Sequence, residues 1–86
     1  MFLFAASKDG ALNAPLRLAA YKTEGRYAMA ERDPMDDLWS MINNVVNLEA
    51  GKDVFVLLPG WQDDDTILKA ATVADWLGIE IRCYHP

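Results

Sequence analysis

The sequence predicts a single α/β domain over residues 1–86, a three-layer-like arrangement with a mixed sheet of about five strands and two helices. Three observations favour this class. Residues 54–58 are a short apolar run closed by Pro-Gly, which is typical of a strand buried on both faces. Helix start and stop signals lie on either side of it, over residues 34–48 and 64–77. The length allows one domain only.

The first predicted element is a short internal strand at residues 2–6. It is followed by a turn over residues 7–10, where an Asp-Gly pair is typical of a chain reversal. Backbone N–H groups in a glycine-containing turn can bind phosphate, so Ser7 and Gly10 are candidate ligand-binding residues. A plain surface turn explains the same residues.

Residues 16–32 allow two interpretations. In the preferred one, a loop at 23–25 closes an N-terminal β-hairpin that sets Tyr21 opposite Tyr27. In the alternative, a short helix spans residues 16–23, and the chain forms a regular four-stranded parallel βαβαβαβ sheet.

The first well-marked helix begins at Asp33-Pro34, because a capping side chain followed by proline is typical of a helix N-terminus. It is expected to run to about residue 48. One apolar face of this helix, predicted to pack on the sheet, consists of Leu38, Met41, Val45 and Leu48. An adjoining apolar face, a candidate interface with another subunit or a partner, consists of Met35, Trp39, Ile42 and Val46.

After the central strand, Asp64 or Asp65 is expected to cap a second helix, which Gly78 ends in the left-handed conformation. The predicted inner face of that helix consists of Ile67, Ala70, Ala71, Ala74 and Leu77. Alternating residues over 79–84 then predict a half-exposed strand near an edge. The strand–helix–strand order implies a right-handed crossover and parallel pairing.

Charge is divided unevenly along the chain. Residues 1–32 carry five Lys or Arg against three Asp or Glu, a net charge of +2, whereas residues 33–86 carry three against ten, a net charge of −7. A general nucleic-acid-binding function is disfavoured, since it requires a basic face. No run is long enough to span a bilayer and no secretory signal is visible, so a cytoplasmic protein is expected. The small size favours homo-oligomerisation.

The loop after the central strand holds the other candidate ligand-binding residues, Trp61, Asp63 and Asp64, because open α/β sheets bind ligands at the carboxyl ends of their strands. Helix capping explains the aspartates equally, and Trp61 can instead cover the small core. Trp39 and Trp76 are expected in the core or at an interface. Cys83 and His85 have no second pair to complete a metal site, and no catalytic residue, metal or cofactor is predicted.

The stretch Asp53-Val54-Phe55-Val56-Leu57-Leu58-Pro59-Gly60-Trp61, followed by a helix and Leu77-Gly78-Ile79-Glu80-Ile81, resembles small, often phage-encoded proteins of the nucleoside 2-deoxyribosyltransferase-like fold. The resemblance covers about residues 40–82. It implies a Ser-x-Gly-x-x-x-Glu pattern after Gly-Trp, with the Glu as nucleophile. Here the three positions hold Asp64, Thr66 and Ala70. The resemblance also implies an acidic residue early in the preceding helix, and the corresponding position in this sequence falls near Asn43 or Asn44.

Glycosyl transfer through a covalent intermediate requires a carboxylate nucleophile, which Ala70 does not provide. We therefore expect a non-catalytic interaction protein, such as a phage accessory protein that binds a host or viral protein in the host cytoplasm. The alternative is a nucleotide- or nucleoside-binding protein that has lost or altered its glycosyl-transfer activity. An active deoxyribosyltransferase or N-glycosidic hydrolase would require a carboxylate at another position.

Overall fold

The computed structural model describes residues 1–7, 26–30 and 37–84, and within them it has four strands and two α-helices. In chain order these are β1 (Phe2–Ala5), β2 (Tyr27–Met29), α1 (Asp37–Val46), β3 (Val54–Leu57), α2 (Asp65–Trp76) and β4 (Glu80–Cys83). A single 3-10 turn, Trp61–Asp63, lies between β3 and α2.

The four strands form one sheet in the order β2-β1-β3-β4, and every neighbouring pair is parallel. Phe55 of β3 lies between Leu3 of β1 and Ile81 of β4. The predicted α/β class, the central position of the apolar run and the internal position of the first strand are confirmed. The parallel pairing of the last two strands is also confirmed.

Both faces of the sheet carry buried side chains, because successive residues of a strand point to opposite sides. Leu3, Phe55 and Leu57 face the helices and join one core cluster with residues of α1 and α2. On the other face, Phe4 and Val56 belong to a second buried cluster. The prediction that the central strand is covered on both sides is therefore confirmed.

Both helices lie on the same face of the sheet, since residues of both contribute to the cluster around Phe55. The connection from β2 to β3 and that from β3 to β4 run in the same direction across the sheet. Crossovers of one hand that run in one direction place their helices on one face, which explains the arrangement. The third layer of the predicted architecture is not among the described elements.

The end of α2 differs from the prediction. Leu77 was expected on the inner face, but it is 46% exposed. The reason is that the helix ends at Trp76 and the chain turns away at Gly78, whose φ of 74° is left-handed as predicted. The buried apolar residue at this end of the helix is Ile79.

Two tryptophans predicted to lie in the core or at an interface are on the surface of this chain. Trp39 is 62% exposed and Trp76 is 78% exposed, so the core alternative is wrong for both. Each lies two residues from a fully buried neighbour, Met41 and Ala74 respectively. Two residues correspond to roughly 200° around a helix, which turns the indole away from the core.

Several predictions concern positions outside the described residues. These are the helix or hairpin strand over residues 14–24, the loop at 23–25, the helix cap at Asp33-Pro34, and the residues Gly10, Met35 and His85.

Four parallel strands fit the alternative βαβαβαβ layout. Among the described strands, β4 is at one edge and is half-exposed, as predicted.

Candidate functional site

Part of the α1 surface that the core does not cover is apolar. Trp39, Ile42 and Val46 follow one another at helical spacing, and we call this set the α1 outer face. Trp39 is 62% exposed, Val46 is 50% exposed and Ile42 is half-buried. Met41 and Val45 of the same helix are fully buried. The apolar arc is thus wider than the sheet covers, and its uncovered part is a surface of the kind that partners bind.

Helices α1 and α2 together are acidic. Helix α1 carries Asp37 in its first turn, and its described residues include no Lys or Arg. In α2, the one basic residue, Lys69, forms an ion pair of 2.8 Å with Asp65, and Asp75 adds a further negative charge. The two helices together therefore carry a net charge of −2 and present apolar and acidic groups to solvent.

The carboxyl ends of β1 and β3 meet at one edge of the sheet, as the predicted ligand site requires. The N–H of Leu58 donates to the carbonyl of Ala5 at 3.0 Å. The Ser7 hydroxyl oxygen lies 3.5 Å from the position that a Cβ on Gly60 would take. The strand order reverses between β1 and β3, and such a point is where parallel sheets bind ligands.

The other predicted ligand-binding residues at this edge have structural contacts. Trp61 is half-buried and packs against the core cluster. The carboxylate of Asp64 accepts hydrogen bonds from the N–H groups of Thr66 and Ile67, at 3.1 and 3.3 Å, and so caps α2. Asp63 is exposed. In the part of the chain that the structure describes, no group of His, Cys, Asp or Glu residues is arranged to hold a metal ion.

Replacing Asp64 with alanine is expected to lower the free energy of unfolding by about 0.5–2 kcal/mol, because two N–H groups lose their acceptor. Urea unfolding followed by circular dichroism measures this. Asp64→Asn retains a capping oxygen and should stay within about 0.5 kcal/mol of the wild type. Asp63→Ala is the matched control, and an equal loss there would contradict the capping role.

Asp53 has a structural role that was not predicted. Its Oδ2 accepts a hydrogen bond from the N–H of Glu49 at 2.7 Å, and its Oδ1 lies 2.9 Å from the Met1 amine. Both contacts lower the pKa of Asp53 from its ordinary value of 3.8, and the hydrogen bond from the Glu49 N–H has the larger effect. The carboxylate thereby connects the start of β1 to the turn before β3.

This shift predicts a pH dependence. Because the folded-state pKa of Asp53 lies below 3.8, its contribution to stability is complete above that pH and is lost as the pH falls through the lowered value. Asp53→Asn should therefore reduce the free energy of unfolding by about 1 kcal/mol at pH 7. The difference from the wild type should shrink as the pH falls below about 4. Urea unfolding across this range would contradict the role if the difference stayed constant.

A shallow cavity of about 300 Å³ lies at the opposite edge of the sheet, beside the amino ends of β1, β3 and β4. Its two basic side chains are already in ion pairs. Lys52 lies 3.2 Å from Glu49, and Arg82 lies 3.1 Å from Glu80. The guanidinium of Arg82 also stands 5.6 Å from the centre of the Phe2 ring. This cavity therefore offers matched charges rather than a strongly charged site.

The position that the family resemblance assigns to a nucleophile is inside the core. Ala70 is fully buried between α2 and the sheet. Of the two asparagines near the second acidic position, Asn43 is exposed, and Asn44 donates a hydrogen bond to the Ser40 carbonyl at 2.8 Å. Cys83 is an exposed free cysteine.

The fold and these surfaces define a small α/β domain with a parallel four-stranded sheet, in which both described helices cover one face. Comparison of the chain with models of protein families, with curated proteins and with solved structures gives no match. Neither of the two described helices has the length and apolar character needed to cross a membrane.

Proposed function

We propose that this protein is a non-catalytic interaction protein, a small accessory protein of the phage type that acts in the host cytoplasm, and that it binds a protein partner through the α1 outer face. The single observation that carries the proposal is Trp39, a large aromatic side chain 62% exposed on an apolar helix face. Tryptophan is among the residues that dominate binding energy at protein interfaces.

The chemistry of the surface indicates the chemistry of the partner. A partner that covers Trp39, Ile42 and Val46 must present apolar side chains, since these residues offer few polar groups. Helices α1 and α2 together carry a net charge of −2, so basic residues at the rim of the partner would be attracted. We expect an apolar segment flanked by Lys or Arg.

The absence of a catalytic role is proposed on two grounds. Position 70, where the resemblance implies a nucleophile, is a buried alanine. At the carboxyl edge of the sheet, the Asp64 carboxylate caps a helix and Trp61 packs on the core, so both side chains have structural roles there.

Site-directed photo-crosslinking tests the proposal. A photoreactive residue in place of Asn43, an exposed position one turn from Trp39, should crosslink a host or viral protein in lysate. The same residue in place of Thr72, exposed on α2, should not crosslink it. Raising the salt from about 50 mM to about 500 mM should weaken capture if basic residues contribute.

Two alanine variants sharpen this test. Trp39→Ala should abolish the crosslink at position 43, whereas Trp76→Ala removes an equally large side chain that is 78% exposed on the other helix and should leave the crosslink unchanged. Circular dichroism of both variants checks that they fold. Equal crosslinking from positions 43 and 72, or an unaffected Trp39→Ala variant, would contradict the proposal.

A second candidate function is nucleotide or nucleoside binding at the carboxyl edge of the sheet. The observation that favours it is the approach of Ser7 to Gly60 where the strand order reverses, beside Trp61, Asp63 and Asp64. Thermal unfolding against a panel of nucleosides and nucleotides tests it. A ligand at 100 times its dissociation constant should stabilise the fold by about 2.7 kcal/mol. No shift across the panel would exclude this function.

A further inference from the structure

The exposed edge of β4 has backbone groups that point away from the sheet. The N–H of Tyr84 donates to the carbonyl of Leu57 at 2.9 Å, so alternate residues of this strand direct their backbone groups towards β3. These are Glu80, Arg82 and Tyr84. The backbone groups of Ile81 and Cys83 therefore point outwards. In the described part of the chain β4 has β3 as its one strand neighbour.

We infer that β4 is a self-association surface, on which the β4 strand of a second copy of this chain adds in antiparallel orientation. Such an edge offers main-chain hydrogen bonds that a further strand can complete. Antiparallel pairing of a strand with itself is a two-fold symmetric contact, the commonest kind in homodimers. This surface is separate from the α1 outer face, so the inference does not depend on the proposed function.

The charges on β4 select one register. If Ile81 lies opposite Ile81 of the second copy, Glu80 faces Arg82 of that copy, and Arg82 faces its Glu80. A register centred on residue 80 would instead place two glutamates together, and one centred on residue 82 would place two arginines together. Opposite charges across neighbouring strands are favourable and like charges are unfavourable. The strand is thus complementary to itself in the register centred on Ile81.

The backbone geometry agrees with that register. Ile81 points its N–H and carbonyl outwards, so two copies of it exchange two hydrogen bonds. The N–H of Cys83 then faces the carbonyl of Ile79 in the second copy. The N–H of Ile79 is already bonded to Ala74 at 3.0 Å and is not required. Glu80 and Arg82 fall at the non-hydrogen-bonded positions, where side chains on paired strands are closest. Within one chain these two side chains already lie 3.1 Å apart, and pairing exchanges this contact between copies.

Charge substitutions test the inference by sedimentation of the full chain at several concentrations. The wild type should form a concentration-dependent dimer. Glu80→Arg and Arg82→Glu each place like charges opposite each other and should raise the dissociation constant by about tenfold or more. The double substitution Glu80→Arg with Arg82→Glu restores opposite charges and should return the dissociation constant to near the wild-type value. Trp39→Ala should leave dimerisation unchanged.

Crosslinking tests the register. Directly opposite residues at a hydrogen-bonded position have Cα atoms about 5.5 Å apart, a separation that a disulfide can bridge. Ile81→Cys in a Cys83→Ser background should form a crosslinked dimer on mild oxidation, and Cys83→Ser alone should not. A monomeric wild type at every concentration, an unrestored double variant, or efficient crosslinking through Cys83 of the wild type would each overturn the inference.

Discussion

Phe55→Ala is expected to lower the free energy of unfolding by about 3–5 kcal/mol. Phe55 is fully buried at the centre of β3, between strands β1 and β4, and it contacts the cluster to which both helices contribute. Truncation removes apolar contacts and leaves a cavity that a sheet interior cannot easily collapse to fill. Since domains of this kind are commonly stable by about 5–15 kcal/mol, much of the margin would be lost. Urea unfolding followed by circular dichroism measures the change.

The matched control for this prediction is Trp76→Ala, which deletes a larger aromatic side chain that is 78% exposed. Its effect should stay within about 0.5 kcal/mol, because surface substitutions away from caps and ion pairs change little. If the two variants lost equal stability, β3 would not be the centre of the core.

Ala70→Glu is expected to destabilise the fold by about 3–5 kcal/mol at pH 7, because it places an unpaired carboxylate among fully buried apolar residues. Burial would raise the pKa of the introduced carboxyl group above that in the unfolded chain. The destabilisation should therefore be smallest below about pH 4 and grow as the pH rises. The resemblance implies a catalytic Glu here, but we expect no gain of activity, since the position faces the core.

Two controls separate charge from other effects in this variant. Thr72→Glu adds the same group at an exposed position of the same helix and should be nearly neutral. Ala70→Leu adds volume without charge and should cost about 1–3 kcal/mol with no pH dependence. An Ala70→Glu variant as stable as the wild type at pH 8 would show that position 70 opens onto solvent, as a catalytic site would require.

The elements that the sequence predicts correctly depend on contacts between near neighbours in the chain. The apolar run before Pro59 predicts a buried strand, the Asp64 side chain reaches N–H groups two and three residues ahead, and Gly78 takes the left-handed conformation at a helix end. Such features are encoded locally, because side-chain spacing and capping act over one or two turns.

The surfaces are harder to predict, because exposure depends on which elements pack together. The apolar pattern of α1 is compatible with a buried Trp39, and the position of the helix on the sheet leaves it exposed, whereas Leu77 is exposed because α2 ends at Trp76. The contact of Asp53 with the Met1 amine likewise joins groups that are distant in the chain.

Local patterns in the chain thus determine that this protein is an α/β domain centred on β3, with a second helix that begins at a capping aspartate and ends before a left-handed glycine. The tertiary structure decides the strand order, and with it the approach of Ser7 to Gly60 and the exposed position of β4. The physical reason is that turns and periodicity reflect short-range interactions, whereas strand order and surface composition follow from packing the whole core at once.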